Sequence, residues 1–238
     1  MDWNFKDKIA LVTGGTRGIG KEIAKTLNNL GATVYITGTK ESNTPKDIEL
    51  IISDFSTEEG IKLFIKKLDD IGEIDILINN AGINIIKELS NVTLDDFNVI
   101  NNVNLKAPYF AVKYVCNKMK GKGAKIVNIS SIWGHISKEK RSLYSSTKTA
   151  LLGMTRSMAI EFGPHNIIIN CVSPGFTNTE LTNQSLSKNE KNDLTSEIPL
   201  GRFAEVNDIA ELVTFLVSDS NKYITGQNII IDGGFTIK

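Results

Sequence analysis

Short runs of β-branched and other apolar residues alternate with longer amphipathic stretches along this chain. The runs Ile9–Thr13, Thr33–Thr37, Leu50–Ser53, Ile76–Asn79, Lys125–Ser130, Ile167–Val172 and Asn228–Ile231 read as strands. Several are apolar at consecutive positions rather than at every second one. That is the pattern of strands covered on both faces, as in a parallel sheet. Between them, apolar residues at helical spacing predict helices near 18–30, 57–70, 95–119, 145–162 and 207–218. The alternation predicts an α/β fold: a single-domain, Rossmann-like, doubly wound parallel sheet of about seven strands with helices on both faces. Residues 38–48 are polar and turn-rich around Pro45, so the second crossover is expected to be short and without a full helix. Residues 177–198 are polar, rich in Asn and Ser, and follow a strand directly, which predicts a mobile insert. No shift in composition marks a second domain, so residues 1–238 are read as one.

Composition narrows the partners. The chain has 238 residues, 41% hydrophobic and 23% charged, ordinary proportions for a globular protein with a sizeable core. Its formal net charge is zero. It therefore projects no field towards nucleic acid or an anionic membrane, and neither is expected as a partner. Cys116 and Cys171 are the only cysteines, too few for a disulfide framework and in keeping with a reducing compartment. The start, Met1 to Lys6, lacks the layout of a signal peptide, and no apolar run is long enough to cross a bilayer. A soluble cytoplasmic protein is expected. His135 and His165 are the only histidines, and no Cys/His/Asp cluster has metal-ligand spacing, so no metal is expected.

The first strand runs into Gly14-Gly15-Thr16-Arg17-Gly18-Ile19-Gly20 and then into a helix. Glycines at such a turn permit positive φ and a close approach of backbone to ligand. The free N–H groups and partial positive charge of the helix start suit a pyrophosphate. Gly14, Thr16, Arg17, Gly18, Ile19 and Gly20 are thus candidate contacts to a dinucleotide. The glycine spacing differs from the commoner G-x-G-x-x-G fingerprint, and a plain packing turn would carry the same residues. The end of the second strand selects the cofactor. An NAD site wants a carboxylate there for the ribose 2′-hydroxyl. This chain reads Thr37-Gly38-Thr39-Lys40, with no acid until Glu41. Lys40 and Arg17 offer positive charge and Thr39 a hydroxyl, which favours NADP(H) over NAD(H).

Tyr144 and Lys148 stand four residues apart, on one face of a predicted helix. An ammonium beside a phenol favours phenolate and turns it into an acid–base group near neutrality, at a cost of about 4 kcal/mol of differential stabilisation. Alone this pair is a weak signal. Ser130-Ser131, Asn79-Asn80-Ala81-Gly82 and Ser173-Pro174-Gly175 strengthen it, because they end the fifth, fourth and sixth strands on what should be one rim.

Those motifs, in order, resemble the short-chain dehydrogenase/reductase family. The matching segments are Thr13 to Gly20, Asn79 to Gly82, Asn104-Leu105, Ser131, Tyr144-x-x-x-Lys148, Ser173-Pro174-Gly175 and Asp232-Gly233-Gly234, so the likeness spans Lys8 to Gly234. The resemblance implies an NADP(H)-dependent oxidoreductase that moves a hydride between nicotinamide and a carbonyl or secondary alcohol. It implies Tyr144 as the general acid or base and Lys148 as the group that lowers its pKa and bonds the nicotinamide ribose. Ser131 would bond the substrate oxygen, although Ser130 competes for that role. Asn104 would hold a water linking Lys148 to solvent. Asp54 would contact adenine, Asn80, Ala81 and Gly82 the adenosine ribose, and Pro174, Gly175 and Thr177 the carboxamide end. Residues 177–198 would form the substrate lid. A homotetramer built partly from the 95–119 and 145–162 helices is also implied.

Within the family, Val172 to Glu180 and the tail from Ile198 to Gln227 are most similar to 3-oxoacyl-acyl-carrier-protein reductases. That implies a thioester substrate and an acyl carrier protein as possible partner. A carrier protein would need a basic patch near the active-site mouth. Lys125 matches one such position, but the other holds His165. Trp133 could wall the substrate or simply pack, and His135 reads as a loop residue or a substrate contact. Two other functions stay open: a reductase of a sugar or other hydroxylated small molecule, and a regulator that senses NADP(H) without turnover.

Overall fold

The computed structural model of the chain describes residues 3–180, 182 and 186–238. Seven strands form one parallel sheet: β1 (Ile9–Val12), β2 (Thr33–Gly38), β3 (Ile48–Ile52), β4 (Ile76–Asn79), β5 (Ala124–Ile129), β6 (Ile167–Pro174) and β9 (Asn228–Ile231). Their order is β3-β2-β1-β4-β5-β6-β9, so the winding reverses between β1 and β4. Helices α1 (Gly18–Asn29), α2 (Glu58–Ile71), α3 (Leu94–Asn101), α4 (Ala107–Lys118), α5 (Ser142–Phe162), α6 (Lys188–Ser196) and α7 (Val206–Val217) complete it. No helix among the described residues is long and apolar enough to cross a membrane.

The consecutive apolar residues of the strands serve two cores. Leu11, Leu77, Ile126 and Ile169 face one way and pack with Phe64, Val112, Val115 and Leu151 of α2, α4 and α5. Their neighbours Ala10, Val12, Ile76, Ile78, Val127 and Val172 face the other way, against Ile23, Leu27, Val213 and Leu216 of α1 and α7. Alternation of Cβ direction along each strand turns one apolar run into two buried faces. Each fully buried side chain of this size contributes about 1.5–3 kcal/mol.

The expected crossover without a helix holds: residues 39–47 carry β2 into β3 as irregular chain. Two other segments differ from expectation. The single helix foreseen over 95–119 is broken into α3 and α4 by a wider turn of π type at Asn102–Lys106. Pro108 explains the break, because it has no N–H to give the Asn104 carbonyl four residues earlier. The segment expected as a mobile insert carries regular structure. β7 (Thr177–Asn178) pairs with β8 (Ala204–Glu205), and α6 starts with Ser187 and Glu190 capping each other. Leu181 and residues 183–185 of that stretch lie outside the described residues.

Candidate active site

Because all seven strands are parallel, every segment that follows a strand leaves on the same rim. The expected site residues follow β1 to β6 and gather there, with Asn104, Tyr144 and Lys148 brought in by the π turn and α5.

The crevice opens where the winding reverses, between β1 and β4. Gly14 has φ of 65° and its N–H donates to Thr37 Oγ1 at 3.0 Å, which fixes the turn against β2. Asn80 crosses the gap: its Nδ2 donates to the carbonyls of Thr13 and Gly14, each at 3.0 Å. Thr13 Oγ1 accepts from the N–H groups of both Asn80 and Ala81. Gly20 is required by this closeness, since a Cβ there would lie 2.3 Å from Asn80 Nδ2 and 2.5 Å from the Gly14 carbonyl. Thr16 packs on the bare Gly38, where a Cβ would meet its Cγ2 at 2.6 Å.

Helix α1 begins after Arg17 with no side-chain cap and no acidic residue in its first turn. Its leading N–H groups, around Gly18 and Ile19, face the rim without a side-chain acceptor, which is the electrostatics of an anion site. Arg17, Thr39 and Lys40 are exposed beside it. Asp54 follows β3 and is exposed, its Oδ1 accepting from the Ser56 N–H. The neighbouring Ser53 hydroxyl is buried with no partner among the described residues. Pro174, the last residue of β6, and Thr177 beyond it are buried, and Gly175 lies so near Asp232 that a Cβ would sit 2.8 Å from its Cα.

The catalytic candidates sit beside the crevice. Ser130 and Ser131 part company at the end of β5. The Ser130 hydroxyl donates to the Lys148 carbonyl at 2.9 Å and is thereby committed to holding α5. Ser131 accepts from the Trp133 N–H at 3.2 Å and turns its hydroxyl towards the Tyr144 phenol, with which it interacts. Lys148 is buried, its Nζ donating to the Ile129 carbonyl at 2.8 Å and lying 5.6 Å from the centre of the Tyr144 ring. Burial pulls this amine down to about 8. Asn104 is fully buried; its Oδ1 accepts from Ile83 N–H, and its Nδ2 donates to the Ile83 carbonyl and to Thr147 Oγ1. Gly82 lies against both groups: a Cβ there would be 3.4 Å from Lys148 Nζ and 3.5 Å from Asn104 Oδ1, ordinary contact distances.

The electrostatics of the phenol differ from the sequence expectation. Burial pushes the Tyr144 hydroxyl up, opposed by the Ser131 hydroxyl and then by the positive charge of Arg141. The guanidinium, one helical turn before Tyr144, was not foreseen; its only signal is its place three residues ahead of the tyrosine. Thr13 and Thr37, which lock the cradle through their hydroxyls, were likewise not singled out. Lys125 does not lie at the mouth of this site, nor does His165. Both precede or begin strands, on the rim opposite Ser131. The Lys125 amine is bound to the Asn221 carbonyl.

Known proteins resemble this chain in sequence and fold. The family model described as enoyl-(acyl carrier protein) reductase matches residues 14–236. A 3-oxoacyl-[acyl-carrier-protein] reductase of Aquifex aeolicus is 38% identical over 247 residues, covering 98% of this chain and 99% of the relative. An NAD-dependent glycerol dehydrogenase of Listeria innocua is 33% identical over 247 residues, covering 100% of this chain and 97% of the relative. The solved structure of a 4-hydroxyisoleucine dehydrogenase complexed with NADH superposes with a TM-score of 0.91 at 32% identity, over 98% of this chain and 100% of that one. With its glycine-rich β1–α1 turn, its doubly wound sheet and these full-length matches, the chain belongs to the short-chain dehydrogenase/reductase family and is an oxidoreductase acting on alcohol or carbonyl groups.

Proposed function

We propose that the chain is an NADP(H)-dependent carbonyl reductase, with 3-oxoacyl thioesters as the first substrate class. What carries this is the meeting of Tyr144, Lys148 and the Ser131 hydroxyl beside an uncapped helix start. The bound cofactor supplies the hydride for the carbonyl carbon. Tyr144 donates the proton to the carbonyl oxygen in reduction and removes it in oxidation. Ser131 donates a hydrogen bond to the same oxygen, stabilising the charge that builds there. Lys148 would bond the nicotinamide ribose, and its ammonium, joined in the oxidised complex by the charge of the pyridinium ring, would bring the phenol down from the high value that burial alone gives it. Asn104 fixes the π turn. Its main-chain carbonyl, left without the N–H that Pro108 lacks, would hold the water through which Lys148 exchanges protons with solvent.

The cradle fits a dinucleotide. Gly14, Gly18, Ile19 and Gly20 would hold the pyrophosphate at the start of α1, and Thr16 would border it. Asp54, beside the unpartnered Ser53 hydroxyl, would hold the adenine. Asn80, Ala81 and Gly82 would hold the ribose, and Pro174, Gly175 and Thr177 the carboxamide. Arg17, Lys40 and Thr39 would take the 2′-phosphate. All three are exposed, and Lys40 and Arg17 have no ion-pair partner among the described residues, so their charge is available.

Residues 177–198 would close over the substrate as a lid on the single domain. The outer face of α4 and α5 leaves Tyr109 45%, Phe110 39% and Ile160 79% exposed, a surface that suits packing against a second copy in a homotetramer. An acyl carrier protein remains the expected donor of a thioester. With Lys125 bound internally, it would have to be recognised by other groups. Both cysteines are free and buried, in keeping with the cytoplasm.

A second reading, a dehydrogenase of hydroxylated small molecules, is favoured by the glycerol dehydrogenase relative. Nicotinamide absorbance separates the two, with acetoacetyl-CoA and NADPH or NADH in one direction and a panel of polyols and sugars with the oxidised cofactors in the other. Faster turnover of acetoacetyl-CoA with NADPH supports the first reading. Turnover of polyols alone, or with NAD⁺ alone, replaces it.

A further inference from the structure

We infer that Arg141 lets this chain take, in preference to their neutral esters, substrates with a carboxylate one or two carbons from the reacting carbonyl, that is, short oxo acids or the corresponding hydroxy acids. This rests on the carbonyl-reductase reading above and deepens it by adding a charged substrate class to the neutral thioesters.

Arg141 immediately precedes α5 and stands three residues before Tyr144, close enough for its charge to act on the phenol. It is half-buried, and burial lowers its pKa. Its guanidinium lies 5.8 Å from the centre of the Trp133 ring. Trp133 comes two residues after Ser131, and its ring stands edge-on to Phe176, 6.3 Å away, just past Gly175. The cation therefore borders the space that Ser131 and Tyr144 face, with an indole wall beneath it.

No carboxylate answers this charge. Among the described residues Arg141 has no ion pair and no side-chain hydrogen bond. The nearby acids are taken: Glu88 pairs with Lys140 at 3.2 Å, and Asp96 pairs with Lys87 at 2.6 Å. Glu139 is exposed on the loop and forms no bridge to it. Even the exposed Arg202 has an acidic partner, Asp208, at 2.6 Å. A half-buried guanidinium carries five N–H donors, and leaving them dry is costly unless something accepts them. Its planar fork matches a carboxylate in two parallel hydrogen bonds, and the aromatic ring below holds the plane.

The spacing fits a short substrate. With the carbonyl oxygen between Ser131 and Tyr144, an anion held one helical turn away stands only a carbon or two from the reacting centre. Reduction then balances simply. Hydride from NADPH adds to the carbonyl carbon, Tyr144 gives its proton to the oxygen, and the products are the hydroxy acid and NADP⁺. The carboxylate takes no part in the bond changes and orients the ketone.

The test compares acetoacetate with its methyl ester, which share the reacting ketone and differ in charge, in wild type, Arg141→Gln and Arg141→Lys. Any effect of Arg141 on the Tyr144 phenol acts on both substrates, so the ratio of their kcat/KM values isolates charge recognition. Wild type should favour the acid at least tenfold. Arg141→Gln should cut that ratio at least tenfold, chiefly through KM of the acid, and Arg141→Lys should restore part of it. A wild-type preference for the ester, or an unchanged ratio in Arg141→Gln, would reduce Arg141 to a stacking partner of Trp133 and overturn the inference. Turnover of the ester or acetoacetyl-CoA without the acid overturns it too, leaving the carbonyl reductase in place. Turnover of none of the three defeats both.

Discussion

Replacing Lys148 by Met should stabilise the cofactor-free protein near neutral pH while removing its turnover. Lys148 is 3% exposed, and burial takes its amine from 10.5 to about 8. At about 1.4 kcal/mol per tenfold, holding that charge in the fold costs about 3 kcal/mol at pH 7. Lys148→Met keeps the aliphatic stem and drops the ammonium. Against this, the Ile129 carbonyl loses its 2.8 Å bond to Nζ, a loss of about 1–2 kcal/mol. The variant should therefore be more stable by about 1–2 kcal/mol at pH 7. The sign with pH follows from linkage. The folded pKa lies below the unfolded one, so the unfolded chain binds more protons between pH 8 and 10.5. Wild type gains stability from this residue as pH rises through that window, and the penalty is complete only below it. The advantage of the Met variant should accordingly shrink between pH 7 and about 9.5. Cys171 is pushed up to about 11 and the Tyr144 phenol is also raised by burial, and both are present in either protein, so the comparison is a difference between variants. Urea unfolding followed by tryptophan fluorescence, at fixed protein concentration and several pH values, reads it directly. A Met variant that is less stable at pH 7, with a gap that does not move with pH, would refute the reasoning.

Other parts of the site have their own tests. Gly20→Ala puts a methyl 2.3 Å from Asn80 Nδ2 and should cost about 1–3 kcal/mol, with weaker binding of NADPH; thermal unfolding and a fluorescence titration check it, and a change of a few tenths would contradict it. Arg17→Ala combined with Lys40→Ala should raise KM for NADPH about ten- to a hundredfold, more at low salt than at high, with little change for NADH. Equal losses for both cofactors would remove the 2′-phosphate from the explanation.

Much of this was legible in the sequence because parallel strands leave a plain signature. Consecutive apolar residues such as Ile76-Leu77-Ile78 must feed both faces of a sheet, and strands that all run one way must end on one rim. Segments after β1, β4, β5 and β6 could therefore be assigned to one crevice without coordinates. Side-chain commitments were not legible. Nothing in the dipeptide Ser130-Ser131 says that the first hydroxyl is tied to the Lys148 carbonyl and the second is turned to Tyr144. The break at Asn104 depends on Pro108, whose missing N–H was overlooked in a pattern that reads as one helix. Capping of α6 by Ser187 and Glu190 was overlooked for the opposite reason, since its polar face gives no apolar period to follow. Lys125 was misplaced because sequence likeness carries no direction: a residue opening β5 stands a full strand length from one that follows it. Arg141 went unnoticed since its importance lies in what it lacks, an acidic partner, and only packing reveals that.

The central claim is that the Tyr144 hydroxyl is the proton donor in a nicotinamide-linked reduction. Tyr144→Phe removes that oxygen and leaves the ring, so one titration and one stopped-flow trace settle it, the first for NADPH binding and the second for NADPH oxidation by acetoacetyl-CoA in a single turnover. NADPH affinity within about threefold of wild type, with the oxidation step slowed by about a thousandfold or more, is the predicted result. Oxidation at a rate close to wild type, with NADPH bound equally well, would contradict it.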